Sequence, residues 1–316
     1  MLKGLALTPP VIGRISIGRV VEKNGRRMPE ADDGFTITSQ VQNWEGWEPH
    51  PVDTLLRGEG GEDRPWKLRR IPVRLLFDDP DLNLRAKYTM FERSTGRPLC
   101  VGDGETCKRV SLEGMQSLPC PGPQACAVGM AGHCKPYGRL HVRIDAQEVV
   151  DELGSFVFRT TGFNSIRTLS ARLRYLHAVA GGVLAGLPLE LRLEGKSTRQ
   201  SHGAPIYYVD LTLRPGASLT QAVATVRKER EQQVAMGFDQ GALDEAARQG
   251  LALGEFEESP EEGAALVEEF FPLEFESAIP AARPAAEPRA PLTSKLKRKL
   301  EDAGLANTQR QRESHG

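Results

Sequence analysis

The sequence predicts an α+β fold built on a mixed or antiparallel sheet. Three observations carry this: stretches alternating apolar and polar residues at period two, two stretches with helical spacing and good caps, and a composition able to form a core. Of 316 residues, 39% are hydrophobic and 26% charged, enough to bury a substantial core in one large or two smaller domains. The formal net charge is -1, from 41 basic and 42 acidic residues. The whole chain therefore has no general attraction for nucleic acid or membrane, and an electrostatic partner must meet a local patch.

Residues 1–95 read as a strand-rich part of the core made of short strands and turns. Arg69 to Phe77 and Ala86 to Phe91 are its clearest strands, with Asp78-Asp79-Pro80-Asp81 as the turn between them. The start, Met1 to Val20, contains Pro9, Pro10, Arg14 and Arg19. Its apolar stretches are too short for a signal peptide or a membrane span, which points to the cytoplasm. Residues 96–138 hold all five cysteines and many glycines and prolines, and no hydrophobic period runs through them.

Residues 139–248 resume the α+β core. Leu140 to Ile144 and Phe156 to Phe158 alternate as paired strands do. Asn164 can cap a helix to about Ala180 with Ile166, Leu169, Leu173, Leu176 and Ala180 on one face. Leu187, Leu189, Leu191 and Leu193 alternate with polar residues, and Ile206 to Arg214 is their partner strand. Ser218 followed by Gln221 makes a capping box, opening a helix with Leu219, Val223 and Val226.

Residues 249–291 are an acidic-aromatic segment followed by an Ala/Pro linker. Between Gln249 and Ala282 there are nine Glu and no Lys or Arg, interleaved with Phe256, Phe270, Phe271 and Phe275. Residues 292–316 form a mobile basic tail with Lys295, Lys297, Arg298 and Lys299. The linker from Ser277 to Pro291 is long enough for the tail to fold back onto the acidic segment, a masking arrangement that salt weakens.

Cys100, Cys107, Cys120, Cys126 and Cys134 are separated by six, twelve, five and seven residues. An odd number of cysteines without an export signal argues against a disulfide framework. Zinc wants four soft ligands in a tetrahedron, and prolines and glycines between the cysteines supply the bends that let them converge. Metal binding to such thiolates contributes roughly 10 kcal/mol or more of folding free energy. Cys107, Cys120, Cys126 and Cys134 are the expected ligands, with Cys100 and His133 as substitutes. Four thiolates leave no open coordination position, so the zinc is structural and the protein is not expected to be an enzyme.

Several phrases have a familiar order: "RRIPVRLLFDDPDLNLRAKYTMF", "GRPLC", "CPGPQAC", "CKPYGRLHVRI" and "LGSFVFRTTGFNSI". Together they resemble the recombination directionality factor-like family of phages and integrative elements, over roughly residues 1 to 215. The resemblance implies a metal-binding accessory protein without an active site, which binds a serine integrase and biases site-specific recombination toward excision. The acidic segment and the basic tail are departures from it.

Other chemistry finds less support. Gly195-Lys196-Ser197-Thr198 imitates the end of a P-loop, but Glu190 stands where the first glycine belongs. Asp78, Asp79 and Asp81 could hold magnesium, although a solvated turn is the ordinary reading. Lys108, Arg109, Lys135, Arg139 and Arg143 surround the cysteines and, with the basic run of the tail, are the candidate contacts to phosphate or to a partner. Of Tyr207 and Tyr208, only one can face outward from a strand and stack on a base. Three functions follow: an interaction module that binds a recombinase or DNA, a single-stranded DNA-binding protein, and a zinc-dependent hydrolase.

Overall fold

Period-two alternation near the start of the chain builds two long strands rather than the short ones expected. The computed structural model describes residues 10–23, 26–43, 46–58, 67–131, 134–146, 154–197, 199, 205–253, 263, 266, 267, 269 and 270. Strands β1 (Val11–Lys23) and β2 (Arg26–Asn43) pair antiparallel from Gly13↔Ser39 to Lys23↔Arg26. Ile15, Phe35 and Ile37 drop from them into the core. Strand β3 (Gly46–Pro49) extends this edge, and α1 (Pro51–Arg57) is tied back to it. The tie is made by Ile37 N–H, which donates to the Asp53 carboxylate at 2.8 Å.

Next come β4 (Arg70–Arg74), the single turn α2 (Pro80–Asn83) and β5 (Leu84–Phe91). Two of the three aspartates expected to sit in a solvated turn have structural work instead. Asp79 caps α2 by accepting from Asp81 N–H at 2.9 Å, as first-turn helix ends require. Asp78 accepts from the backbone N–H groups of Leu184 and Ala185 at 2.8 and 2.9 Å, and from Arg230.

The segment 96–138 departs most from expectation. It contains a three-stranded antiparallel meander, β6 (Pro98–Gly102), β7 (Thr106–Ser111) and β8 (Gly114–Pro119), which continues the sheet outward from β5. Backbone hydrogen bonds to the preceding strand therefore run through it. The strands were hidden because the outermost of them is exposed on one face and half-exposed on the other, so apolar alternation is not required there. The short α3 (Ala127–Ala131) then leads into β9 (Lys135–Ile144).

The second half follows the sequence closely. β10 (Ser155–Thr160) pairs antiparallel with β9, and β11 (Leu189–Lys196) with β12 (Ile206–Leu213). Helix α4 (Phe163–Val179) has its N-cap at Gly162, two positions before the expected Asn164, and α5 (Leu219–Ala235) is capped by Ser218 as its capping box demands. A further helix, α6 (Gln240–Leu253), was not foreseen; it sets Ala247 on Phe77 and Leu82.

The strand order is β3-β2-β1-β10-β9-β5-β6-β7-β8, with β12-β11-β4 joined through the β4/β9 pair. Every named pair is antiparallel except β1/β10, so the expected mixed or antiparallel sheet is present. One face carries the core: Leu140, Val142 and Ile144 of β9 and Phe156 and Phe158 of β10 meet Leu169, Leu173 and Leu176 of α4. Phe35, Phe156 and Phe158 are each at most 1% exposed, a burial worth roughly 1.5–3 kcal/mol per side chain. Among the described residues no helix is long and apolar enough to cross a membrane. These residues belong to one unit, Met1–Pro272; the expected basic tail, Lys295 to Lys299 included, lies outside the described residues.

Candidate functional site

The meander brings the cysteines together. Cys100 lies on β6 opposite Arg109 of β7, and Cys107 lies opposite Gly102. Cys120 follows β8 and is held by its N–H donating to the Glu105 carbonyl at 2.8 Å. Cys126 and Cys134 bracket α3, and the Cys134 N–H donates to Gly129 O at 2.8 Å. Cys100, Cys120, Cys126 and Cys134 line one cavity of about 20 Å³, with Met90 and Arg109 beside them. That is room for a single water-sized occupant.

Two glycines make the convergence possible. A Cβ on Gly102 would stand 2.8 Å from Cys120 Sγ and 2.7 Å from Cys107 Cβ. One on Gly129 would stand 3.2 and 3.3 Å from the Cβ atoms of Cys126 and Cys134. Gly102 therefore needs the bare backbone, while at Gly129 an added Cβ would require its cysteine neighbours to give by a few tenths of an ångström.

The thiols differ in environment. Burial, reinforced by Cys100, pushes Cys107 up to about 11. Burial and then the neighbouring Cys100, Cys120 and Cys126 push Cys134 up to about 12. Cys126 moves the other way, because Gly129 N–H donates to its sulfur at 3.3 Å and Arg109 approaches it at 3.6 Å. A divalent cation in the cavity would invert this pattern by favouring thiolates. Cys107, an expected ligand, is not among the residues lining the cavity; it packs with Met90 and Cys100 on the face of the meander that carries Arg109, its Sγ 3.9 Å from the Pro119 carbonyl. Cys100, the expected substitute, lines the cavity; His133, the other substitute, lies outside the described residues. Among the described residues no group of three or more His, Cys, Asp or Glu side chains is arranged to hold a metal ion.

The expected contact residues separate into two groups. Arg109 faces the cysteines rather than a phosphate, and Lys108, its neighbour on β7, points to the opposite face as strand alternation requires. Lys135 lies at the start of β9, opposite Thr89. Arg139 and Arg143 project from β9 on the face away from the core. There Arg139 stands opposite Arg85 of β5 and Arg159 of β10, a row of three arginines across adjacent strands.

Sequence reasoning missed Arg85 and Arg159, and also Arg14 on β1, whose guanidinium lies 3.7 Å from the Trp47 ring centroid. The signal was present as single arginines alternating with core residues in "NLRAK" and "FVFRTT". His141 sits on the same face, two residues from Arg139 and 7% exposed. Burial, with Arg139, Arg159 and Arg85 around it, drives its imidazole down to about 3, so it is neutral at ordinary pH.

The P-loop imitation dissolves: Gly195-Lys196 closes β11, and Lys196 Nζ donates to the Asn164 side chain at 2.7 Å. Tyr207 packs on the core while Lys196 lies over the Tyr208 ring, the one-in, one-out arrangement expected of neighbours on a strand.

A family model described as Gp3-like, recombination directionality factor-like, matches residues 12–214. The chain belongs to that family. The matched region runs from β1 to the end of β12 and so contains the sheet, the cysteine cavity and the arginine row. No curated protein and no solved structure matches the chain. Membership ties the protein to DNA recombination in phages and mobile elements, and the resemblance read from "CPGPQAC" and its neighbours stands.

Proposed function

We propose that this chain is a non-catalytic accessory protein that controls site-specific recombination by binding a serine integrase, favouring excision of its element. The family match over residues 12–214 carries this reading. The thiol-lined cavity supports a structural role for zinc beside it. In this reading Cys100, Cys120, Cys126 and Cys134 hold zinc, which ties the meander to α3 and the start of β9. Four thiolates leave no position for substrate, so the metal orders the fold and performs no hydrolysis.

The test uses the integrase of the same element with its attachment sites on plasmids. Adding this protein should switch the reaction from joining to excision, and the two proteins should co-elute. An integrase whose direction and elution do not change would refute the proposal. Contacts to DNA in this reading are phosphate contacts by Lys135, Arg143 and the tail, so binding by the protein alone is weak and fades with salt.

A further inference from the structure

Strand β11 outruns its neighbour β4. The Leu193 N–H donates to the Arg69 carbonyl at 2.9 Å, and past that bond β11 continues to Lys196 with β12 as its partner. Among the described residues no strand faces it on the β4 side there. Gly195 N–H points the same way as Leu193 N–H, as alternation along a strand requires, and so toward the unpaired side. Beside this stretch lies a cavity of about 460 Å³, lined by Arg69, Arg70, Arg192, Glu194, Gly195 and Tyr207 among others. That volume suits a small-molecule site.

One wall of the cavity is cationic. Arg70 stands directly opposite Arg192, and like charges so placed destabilise a sheet unless an anion joins them. The carboxylates nearby answer them only in part. Asp210, opposite Arg192 on β12, is taken by Arg172 at 2.8 and 3.0 Å. Glu194 meets Arg192 at 2.8 Å through Nε, which leaves the two terminal nitrogens. Glu190 approaches Arg70 to 3.6 Å, beyond hydrogen-bond reach, and the Arg70 guanidinium makes no hydrogen bond among the described residues. Asp33 is shared between Lys67 and Arg69. The side chains of Arg70 and Arg192 are 50% and 41% exposed, open to a solute.

The other wall is apolar and flat. Strand alternation puts Leu193, Gly195 and Tyr207 on the side away from Arg70 and Arg192, and Pro205 joins them in lining the cavity. A Cβ at Gly195 would stand 3.3 Å from Tyr207 Cε1, so the glycine lets that ring lie against bare backbone. The cavity owes nothing to a P-loop, since Lys196, the lysine of that imitation, is held by Asn164.

An occupant that satisfies both walls carries an anion at one end and a flat group at the other. Two guanidinium groups and a backbone N–H offer three donors, which match the oxygens of a phosphate better than the two of a carboxylate. A phosphate ion alone leaves Tyr207 bare, and an apolar ligand leaves the arginines unanswered. We propose that this cavity binds a nucleotide, its phosphate bridged by Arg70, Arg192 and the Gly195 N–H, its base or sugar laid on Tyr207 and Pro205. A free nucleotide and one unit of a single DNA strand present the same chemistry.

The proposal goes beyond the recombinase reading, and its test contains no recombinase. Calorimetric titration of the full chain uses dTMP, thymidine, inorganic phosphate and an oligothymidine strand as probes. Thymidine and inorganic phosphate should bind at least about tenfold more weakly than dTMP, because each meets one wall only. Arg70→Ala and Arg192→Ala should each weaken dTMP by about tenfold, with an unchanged circular dichroism spectrum. No binding of dTMP in the millimolar range, phosphate binding as tightly as dTMP, or dTMP affinity that both variants keep overturns the site. Tighter binding of the strand than of dTMP identifies DNA as the source, and the reverse a free nucleotide; in either case affinity that survives Arg70→Ala overturns the site. Hydrogen exchange needs no variant: saturating dTMP should slow the Gly195 amide and leave that of Leu140, in the core, as it was. A Gly195 amide that dTMP does not slow overturns the placement.

Discussion

Replacing Asp78 by alanine should be the most damaging single change among the three aspartates that follow β4. Its carboxylate accepts the backbone N–H groups of Leu184 and Ala185 at 2.8 and 2.9 Å and pairs with Arg230 at 2.6 Å. Leu184 is 0% and Ala185 7% exposed, so in Asp78→Ala two donors are stranded where water reaches poorly. Each unsatisfied buried donor costs about 1–3 kcal/mol. The partly exposed Arg230 pair adds less than about 1 kcal/mol. Allowing for some water entry, the expected loss is about 3 kcal/mol. Asp79→Ala removes the α2 cap and should cost about 1 kcal/mol. Asp81→Ala should be almost silent, because the Asp81 side chain is 78% and its partner Arg174 67% exposed. Urea unfolding followed by circular dichroism measures all three, with unchanged m-values as the check that only stability moved. Equal losses at the three positions, or a loss below about 1 kcal/mol for Asp78→Ala, would refute the assignment of Asp78 as a backbone clamp. Equal losses would instead suit three carboxylates sharing one ion.

Further predictions concern the cysteine cavity and the buried histidine. Elemental analysis should find one zinc per chain, lost in Cys134→Ser and retained in Cys107→Ser; the reverse order would return Cys107 to the ligand set. Gly102→Ala forces a methyl within 2.8 Å of Cys120 Sγ and should destabilise by about 1–3 kcal/mol in thermal unfolding; an unchanged midpoint would mean the cysteines do not need that close approach. His141 is held near 3 when folded, against about 6.5 when unfolded. As pH falls below the unfolded value, the unfolded chain takes up a proton that the folded chain refuses. Stability should therefore drop by about 2 kcal/mol between pH 6.5 and 5, continuing toward the folded value. His141→Gln should flatten that slope, and an identical slope in the variant would show that another group causes it.

What the amino-acid sequence determined by itself was local. The alternating leucines of β11 and the Ser218 capping box became the elements they announced, because period and capping are properties of neighbouring residues. The phrases around the cysteines carried the family for the same reason: order along the chain survives without coordinates. Tertiary structure decided whatever depends on register between distant strands. Spacing arguments favoured Cys107 over Cys100, yet pairing of β6 with β7 sets Cys100, Cys107 and Arg109 on one face, and it is Cys100 that lines the cavity. Of Arg85, Arg139 and Arg159 only Arg139 stands out in the sequence, beside the cysteines, and only the β5-β9-β10 ladder sets the three in one row. The acidic segment shows the limit most clearly. Its charge points along the chain to the basic tail, whereas the packing of its Leu266, Val267 and Phe270 on Phe91 and Tyr137 is a contact that only folding sets. A sheet gathers residues by hydrogen-bond register, which sequence separation does not encode.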